Sequence, residues 1–181
     1  MVLGRPPPAT GHNGPMTLQT LLADPSAVGN WKLVGDQSSI RFGSKTLWGL
    51  VPVKGRFTEV TGSGKVNADG TVSGRLDIKA ASLTTGIGMR DKHLRSEDFF
   101  DTDNFPDITV EVTGPQTATL SIRGTTLPLP VRFTVTRPDA NTLQIAAHAE
   151  IDRTKWGVSG NMAGMMPSTT TLVGETVFTR S

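Results

Sequence analysis

With 181 residues, 36% apolar and 19% charged, the chain has material for one globular domain with a single core, plus a tail. It contains no Cys, which excludes disulfide scaffolds, thiol nucleophiles and thiolate-ligated zinc. Eighteen Lys and Arg against 16 Asp and Glu leave a formal charge of +2, and no basic run tracks a phosphate backbone, so nucleic acid is not a favoured partner.

Residues 1–30 are rich in Pro, Gly, Thr and Asn and are expected to be a mostly disordered extension, with Pro6-Pro7-Pro8 favouring polyproline II. Met16 is an alternative start, which would make residues 1–15 an added extension. Leu18, Leu21 and Leu22 have the spacing of one amphipathic helical turn, which Asp24-Pro25 ends. Met1-Val2-Leu3 runs straight into Gly4-Arg5-Pro6 with no signal-like apolar stretch, and no run approaches the roughly 18 residues of a membrane span. The expected location is cytoplasmic.

From Trp31 the apolar period becomes two, the mark of half-buried strands. Ile40, Phe42 and Ser44 share one face, and the alternation returns over residues 76–80, 108–112 and 131–136. Leu143, Ile145, Ala147, Ala149 and Ile151 likewise fall on one side. Turn chemistry separates these stretches at Asn67-Ala68-Asp69-Gly70, at Arg123-Gly124 and at Pro138-Asp139-Ala140-Asn141. Long strands joined by short connections predict an all-β, antiparallel up-and-down barrel of about eight strands.

Residues 84–105 break the pattern. They lose alternation, carry dense charge, and predict a short helical insertion near residues 86–104, with Ser96 as a helix N-cap and Asn104-Phe105-Pro106 restoring extended chain.

Ala81-Ser82-Leu83-Thr84-Thr85-Gly86, then Arg90-Asp91-Lys92-His93-Leu94-Arg95-Ser96-Glu97-Asp98-Phe99-Phe100-Asp101, then Phe105-Pro106-Asp107-Ile108, closely resemble the signature of the YceI-like family. Gly55-Arg56-Phe57 upstream, and Ile151-Asp152-Arg153-Thr154-Lys155-Trp156-Gly157 downstream, extend the resemblance over residues 31–181 as one domain. It implies a bacterial lipocalin-like barrel around an apolar cavity that binds polyisoprenoids and related long amphiphiles. Two departures are visible. Asp36-Gln37-Ser38-Ser39 stands where the family often has a His, so a head-group role for that His does not carry over, and Trp48-Gly49-Leu50-Val51-Pro52 replaces a His-containing strand end.

Given such a barrel, the inward-facing candidates are Ile40, Phe42, Phe57, Leu76, Ile78, Ile108, Val110, Leu120, Ile122, Phe133, Ile145 and Ile151. They form either a ligand wall or an ordinary filled core. Met89, Leu94, Phe99 and Phe100 of the insertion are expected at the barrel mouth, as a lid or as a fixed plug. Trp48 and Met162 are rim candidates. Arg90, Asp91 and His93 form the densest polar group, which either fastens the insertion to neighbouring backbone, the favoured reading, or performs acid–base chemistry.

The three His, at 12, 93 and 148, show no metal-ligand spacing. The run from Asp101 resembles a calcium loop but has Phe105, Pro106 and Val112 at required ligand or Gly positions. No nucleophile elbow or dinucleotide fingerprint is complete. The expectation is therefore a binding or carrier protein that is not an enzyme and has no metal. Its ligand would be an isoprenoid quinone, a polyprenyl phosphate or a fatty-acid derivative. The alternative is a filled structural or interaction barrel, and a homodimer is compatible with either.

Overall fold

The computed structural model describes residues 14–44, 52–160 and 167–181. Among them the alternating stretches form one twelve-stranded antiparallel sheet. Its strands are β1 (Gly29–Leu33), β2 (Ser39–Ser44), β3 (Val53–Phe57), β4 (Val60–Val66), β5 (Val72–Lys79), β6 (Leu83–Thr84), β7 (Asp107–Gly114), β8 (Thr117–Ile122), β9 (Thr125–Pro128), β10 (Val131–Asp139), β11 (Thr142–Asp152) and β12 (Thr169–Arg180). Two short helices, α1 (Leu18–Leu22) and α2 (Gly88–Arg95), accompany them.

Twelve strands replace the expected eight because several long runs are bent. β1 and β2 pair with the same edge of β12, through Trp31↔Arg180 and Phe42↔Leu172, and only a short turn at Gly35–Gln37 interrupts them. β3 and β4 are separated by Thr58 and Glu59, β5 and β6 by the turn Ala80–Ser82, and β9 and β10 by Leu129 and Pro130. A long strand wrapping a narrow sheet has to bend, and each bend interrupts its ladder.

Each run lies beside the next, and β12 returns to β1, so the sheet almost completes a circuit. It does not close. Among the described strands β9 pairs with β8 and β10 with β11, and no ladder joins these two pairs, which corrects the expected closed barrel to an open one. The gap falls at Pro128-Leu129-Pro130, where two residues lack the N–H a ladder requires. Leu129 still donates, to the Ala118 carbonyl at 2.9 Å.

The unpaired edge of β10 is met by the N-terminal segment. Met16 exchanges two backbone hydrogen bonds with Val135 and α1 follows at once, its Thr17 side chain accepting from the Thr20 N–H at 3.1 Å. Leu18, Leu21 and Leu22 are buried, and Asp24 binds Arg137 of β10 at 2.9 Å. Residues 14–30 are thus part of the domain, which corrects the expectation of disorder for them: three leucines on one face supply apolar area that the local Pro and Gly content hides. Residues 1–13 lie outside the described residues.

β12 marks the two ends of the molecule, roughly 36 Å apart for its twelve residues. At one end Arg180 donates to the carbonyls of Ser26 and Val28, in the chain that follows α1, with its guanidinium 4.5 Å from the Trp31 ring centre. At the other, Thr169 pairs with Asp152, and the next residue, Arg153, lies over Phe99 of the segment after α2.

Candidate ligand cavity

Since side chains alternate along a strand, every run sends one row inward. β2 contributes Ile40 and Phe42, and β3 contributes Phe57. Leu76 and Ile78 of β5 stand opposite Val110 and Ile108 of β7. β8 adds Leu120 and Ile122, β10 adds Phe133, and β11 adds Ile145 and Ile151. Together they line an almost wholly apolar cavity of about 220 Å³.

The accessibility of these residues shows that the interior is not filled. Ile40, Phe42, Leu76, Val110, Phe133 and Ile145 point inward yet remain half-buried, because their free surface faces the void. A close-packed core would have covered it. The cavity is smaller than the roughly 300–1,000 Å³ of common small-molecule pockets. Its wall nevertheless runs from Leu18 and Leu21 of α1 to Leu94 of α2, so the space is elongated.

Aromatic rings narrow the α2 end. Phe42, Phe57 and Phe100 form a triangle with ring centres 5.4, 6.4 and 6.0 Å apart. The Phe42 ring lies over Gly55, where an added Cβ would collide with the ring carbons, so the glycine makes room for the aromatic wall. Phe99 is fully buried and is held by its backbone: Arg123 donates to the carbonyls of Phe99 and Gly157 at 2.8 and 2.9 Å.

Of the polar groups of the wall, Ser44, Thr170 and Arg153 lie near this end, while Ser63, Lys65, Ser73 and Arg75 line the cavity from β4 and β5. The Ser44 and Thr170 hydroxyls are buried and 3.3 Å apart. Arg153 is also buried, donating to the carbonyls of Val158 and Pro167, with its guanidinium 5.7 Å from the Phe99 ring centre. Burial lowers its pKa, against the pull of neighbouring Asp152.

The insertion contributes less to the wall than expected. Leu94, Phe99 and Phe100 line the cavity, but Met89 is 87% exposed and turned away, which corrects its place at the mouth. Ser96 ends α2 as its C-cap instead of starting a helix, because its N–H donates to the His93 carbonyl. Trp48 and Met162 lie outside the described residues.

Arg90, Asp91 and His93 all engage the insertion's own neighbourhood. Asp91 accepts from the Thr85 N–H and hydroxyl at 2.8 and 2.5 Å and from the Thr84 hydroxyl at 3.1 Å. Burial pushes its carboxyl up, but these hydrogen bonds and the charge of Arg95 outweigh it, and the net pKa is below the usual value. Arg90 donates to the Thr85 hydroxyl and carbonyl, and the His93 ring packs edge-on against Phe99 at 5.2 Å. Among the described residues, no group of three or more His, Cys, Asp or Glu is placed to hold a metal.

Several wall residues carry no clear signal in the sequence. Leu172 sits in β12 among Thr170, Gly174 and Thr176, which dilute the apolar alternation. Leu18 and Leu21 have helical spacing but nothing that ties them to the barrel, and Val158 and Arg153 lie in irregular chain.

A family model for the YceI-like domain matches residues 31–178. The chain is 38% identical over 84 residues to the UPF0312 protein SAB2563 of Staphylococcus aureus, an alignment covering 45% of this chain and 48% of that protein. The chain thus spans about half the length of the curated relatives it matches. Its fold resembles that of a polyisoprenoid binding domain from Saccharophagus degradans, with a TM-score of 0.72 at 18% identity over 83% of this chain and 98% of that one. It also resembles BcnA of Burkholderia cenocepacia, with a TM-score of 0.69 at 21% identity over 80% and 98%.

Proposed function

This chain belongs to the YceI-like domain family, and from that premise we propose that it is a non-catalytic binding or carrier protein for a long-chain isoprenoid or similar amphiphilic lipid held inside the sheet. The observation that carries this reading is the ring of inward-pointing apolar side chains left half-buried around an elongated void. The Saccharophagus degradans domain of the same fold, described as polyisoprenoid binding, points to the same ligand class.

The physics favours a chain over a compact molecule. Each CH₂ taken from water stabilises by about 0.8 kcal/mol, so a few isoprene units offset the cost of association with little polar contact. Selectivity is then for width and length. The hydroxyl pair Ser44 and Thr170 and the guanidinium of Arg153 are polar groups of the wall that are buried, and on that ground the head of the ligand is assigned to the α2 end and its tail to Leu18 and Leu21 of α1. An isoprenoid quinone, a polyprenyl phosphate and a fatty-acid derivative all meet this description. Asp91, Arg90 and His93 hold the insertion in this reading and turn over no substrate.

Native mass spectrometry of freshly purified protein, followed by lipid extraction, tests the proposal. The expected result is a bound species with a prenyl or fatty chain, together with displacement of a fluorescent fatty probe by prenyl compounds. Protein free of lipid that also takes up no probe overturns it.

A further inference from the structure

Among the described residues the large apolar side chains that stand exposed are Ile87, at 53%, and Met89, at 87%. They are two residues apart, on either side of Gly88, at the tip formed where the chain enters α2. Gly86 next to them has φ +82, and a Cβ at Gly86 or Gly88 would meet nothing within 4 Å, so the tip projects into open space. The rest of the segment is anchored: Asp91 binds Thr84 and Thr85, Leu94 enters the cavity wall, and Arg95 donates to the carbonyls of Ala81 and Leu83. A rigid mount therefore presents two apolar side chains outward.

The surroundings of the tip are basic. Lys92 is exposed on α2, and Arg56 of β3, exposed, pairs with Thr84 at the base of the tip, with exposed Lys54 on the same face of that strand. Asp91 is turned inward to Thr84 and Thr85. The carboxylates of Glu97 and Asp98 come after the helix end, at the opposite end of α2 from Ile87 and Met89. Two projecting apolar side chains beside exposed Lys and Arg have the chemistry of an interfacial anchor for an anionic bilayer.

We propose that the tip at Ile87 and Met89, with Lys92, Arg56 and Lys54, docks the protein on an anionic lipid surface, so that the α2 end of the cavity faces the bilayer. This rests on the carrier reading for its purpose: Leu94, Phe99 and Phe100, which bound the cavity at that end, belong to the same segment. The docking itself depends only on the surface residues.

The test is co-flotation of the full chain with vesicles of phosphatidylcholine alone and of phosphatidylcholine mixed with an equal amount of phosphatidylglycerol, using protein whose lipid content has been measured by native mass spectrometry. The chain is expected to float with the anionic vesicles and to be released by salt. Lys92→Ala and Arg56→Ala should each weaken binding about fivefold, and Ile87→Ser with Met89→Ser about tenfold or more. Lys32→Ala and Lys65→Ala, exposed on β1 and β4 near the α1 end, should change nothing. Absence of flotation, equal flotation on both vesicle types, or insensitivity to the Ile87 and Met89 changes overturns the proposal. Lipid content and fatty-probe uptake are read separately, so failure of docking with ligand still bound leaves the carrier reading standing, and docking by a chain that takes up no lipid or probe sinks that reading alone.

Discussion

Met16 and Val135 exchange two backbone hydrogen bonds, each 2.8 Å long, so the segment preceding α1 acts as a one-residue strand on the open edge of β10. The contact joins the two features in which the molecule departs from a simple meander, the gap beside Pro128-Leu129-Pro130 and the helix that closes one end of the cavity. An unpaired edge is a liability in a sheet protein, and here the chain's own N-terminal segment covers part of it.

If α1 closes the interior, truncating its innermost side chain should act as a core substitution. Leu21 is 1% exposed and lines the cavity. Leu21→Ala is expected to cost about 2–5 kcal/mol in urea unfolding and to speed ligand loss. A cost within a few tenths of a kcal/mol, as for a surface position, would show that α1 is only loosely seated.

The void can be filled without removing any contact. Ala147 faces the interior from β11 opposite Gly174, where a Cβ would lie 3.7 Å from its own. Ala147→Phe is expected to abolish probe uptake while changing stability by no more than about 1–3 kcal/mol. Probe uptake equal to that of the parent chain would mean that ligands bind elsewhere.

Gly55 and Phe42 should be coupled, because a Cβ on the first meets the ring of the second. Gly55→Ala is expected to destabilise by about 1–3 kcal/mol through overpacking. Phe42→Leu should relieve most of that cost in the double variant, giving an interaction energy of at least about 0.5 kcal/mol. Additive effects in the four-member cycle would show that the aromatic wall does not depend on that glycine.

Acid should loosen the α2 segment before the sheet. The Asp91 pKa is lowered in the folded chain, so its stabilisation is complete above the unfolded value near 3.8 and is lost as pH falls through the lower folded value. Amide exchange over residues 85–95, corrected for intrinsic rates, should rise as pH drops from about 5 to about 3. Asp91→Asn should exchange faster at neutral pH and lose this pH dependence. Asp24, whose pKa is lowered by hydrogen bonds from Ser26 and by Arg137, should loosen the α1 junction in the same range.

The inward rows are legible in the amino-acid pattern alone. Ile40, Phe42 and Ser44, and the row from Leu143 to Ile151, all reach the cavity wall on the side that their alternation assigns. Arg123 and Gly124, both with positive φ (50° and 74°), form the hairpin turn their dipeptide suggests. The polar group at Arg90, Asp91 and His93 is also visible as a group. Its partners are not, since Thr84, Thr85 and Phe99 are set by how the segment folds back. Met89 is misplaced by its pattern because adaptable apolar side chains at helical spacing suggest burial, whereas the direction of the helix entry turns this one outward.

The dry side of the clearly alternating strands can be read from the sequence alone, because a side-chain period of two is a property of the extended backbone and needs no partner to express it. The sequence also determined the family, through a contiguous polar signature. The opening of the sheet at Leu129 and Pro130, the cover that Met16 and α1 give to part of that edge and to one end, and the void left between the inward side chains emerge from the fold. Edge pairing and residual volume depend on which segments meet across the interior, and no local pattern along the chain records the sum of the side chains that face one another there.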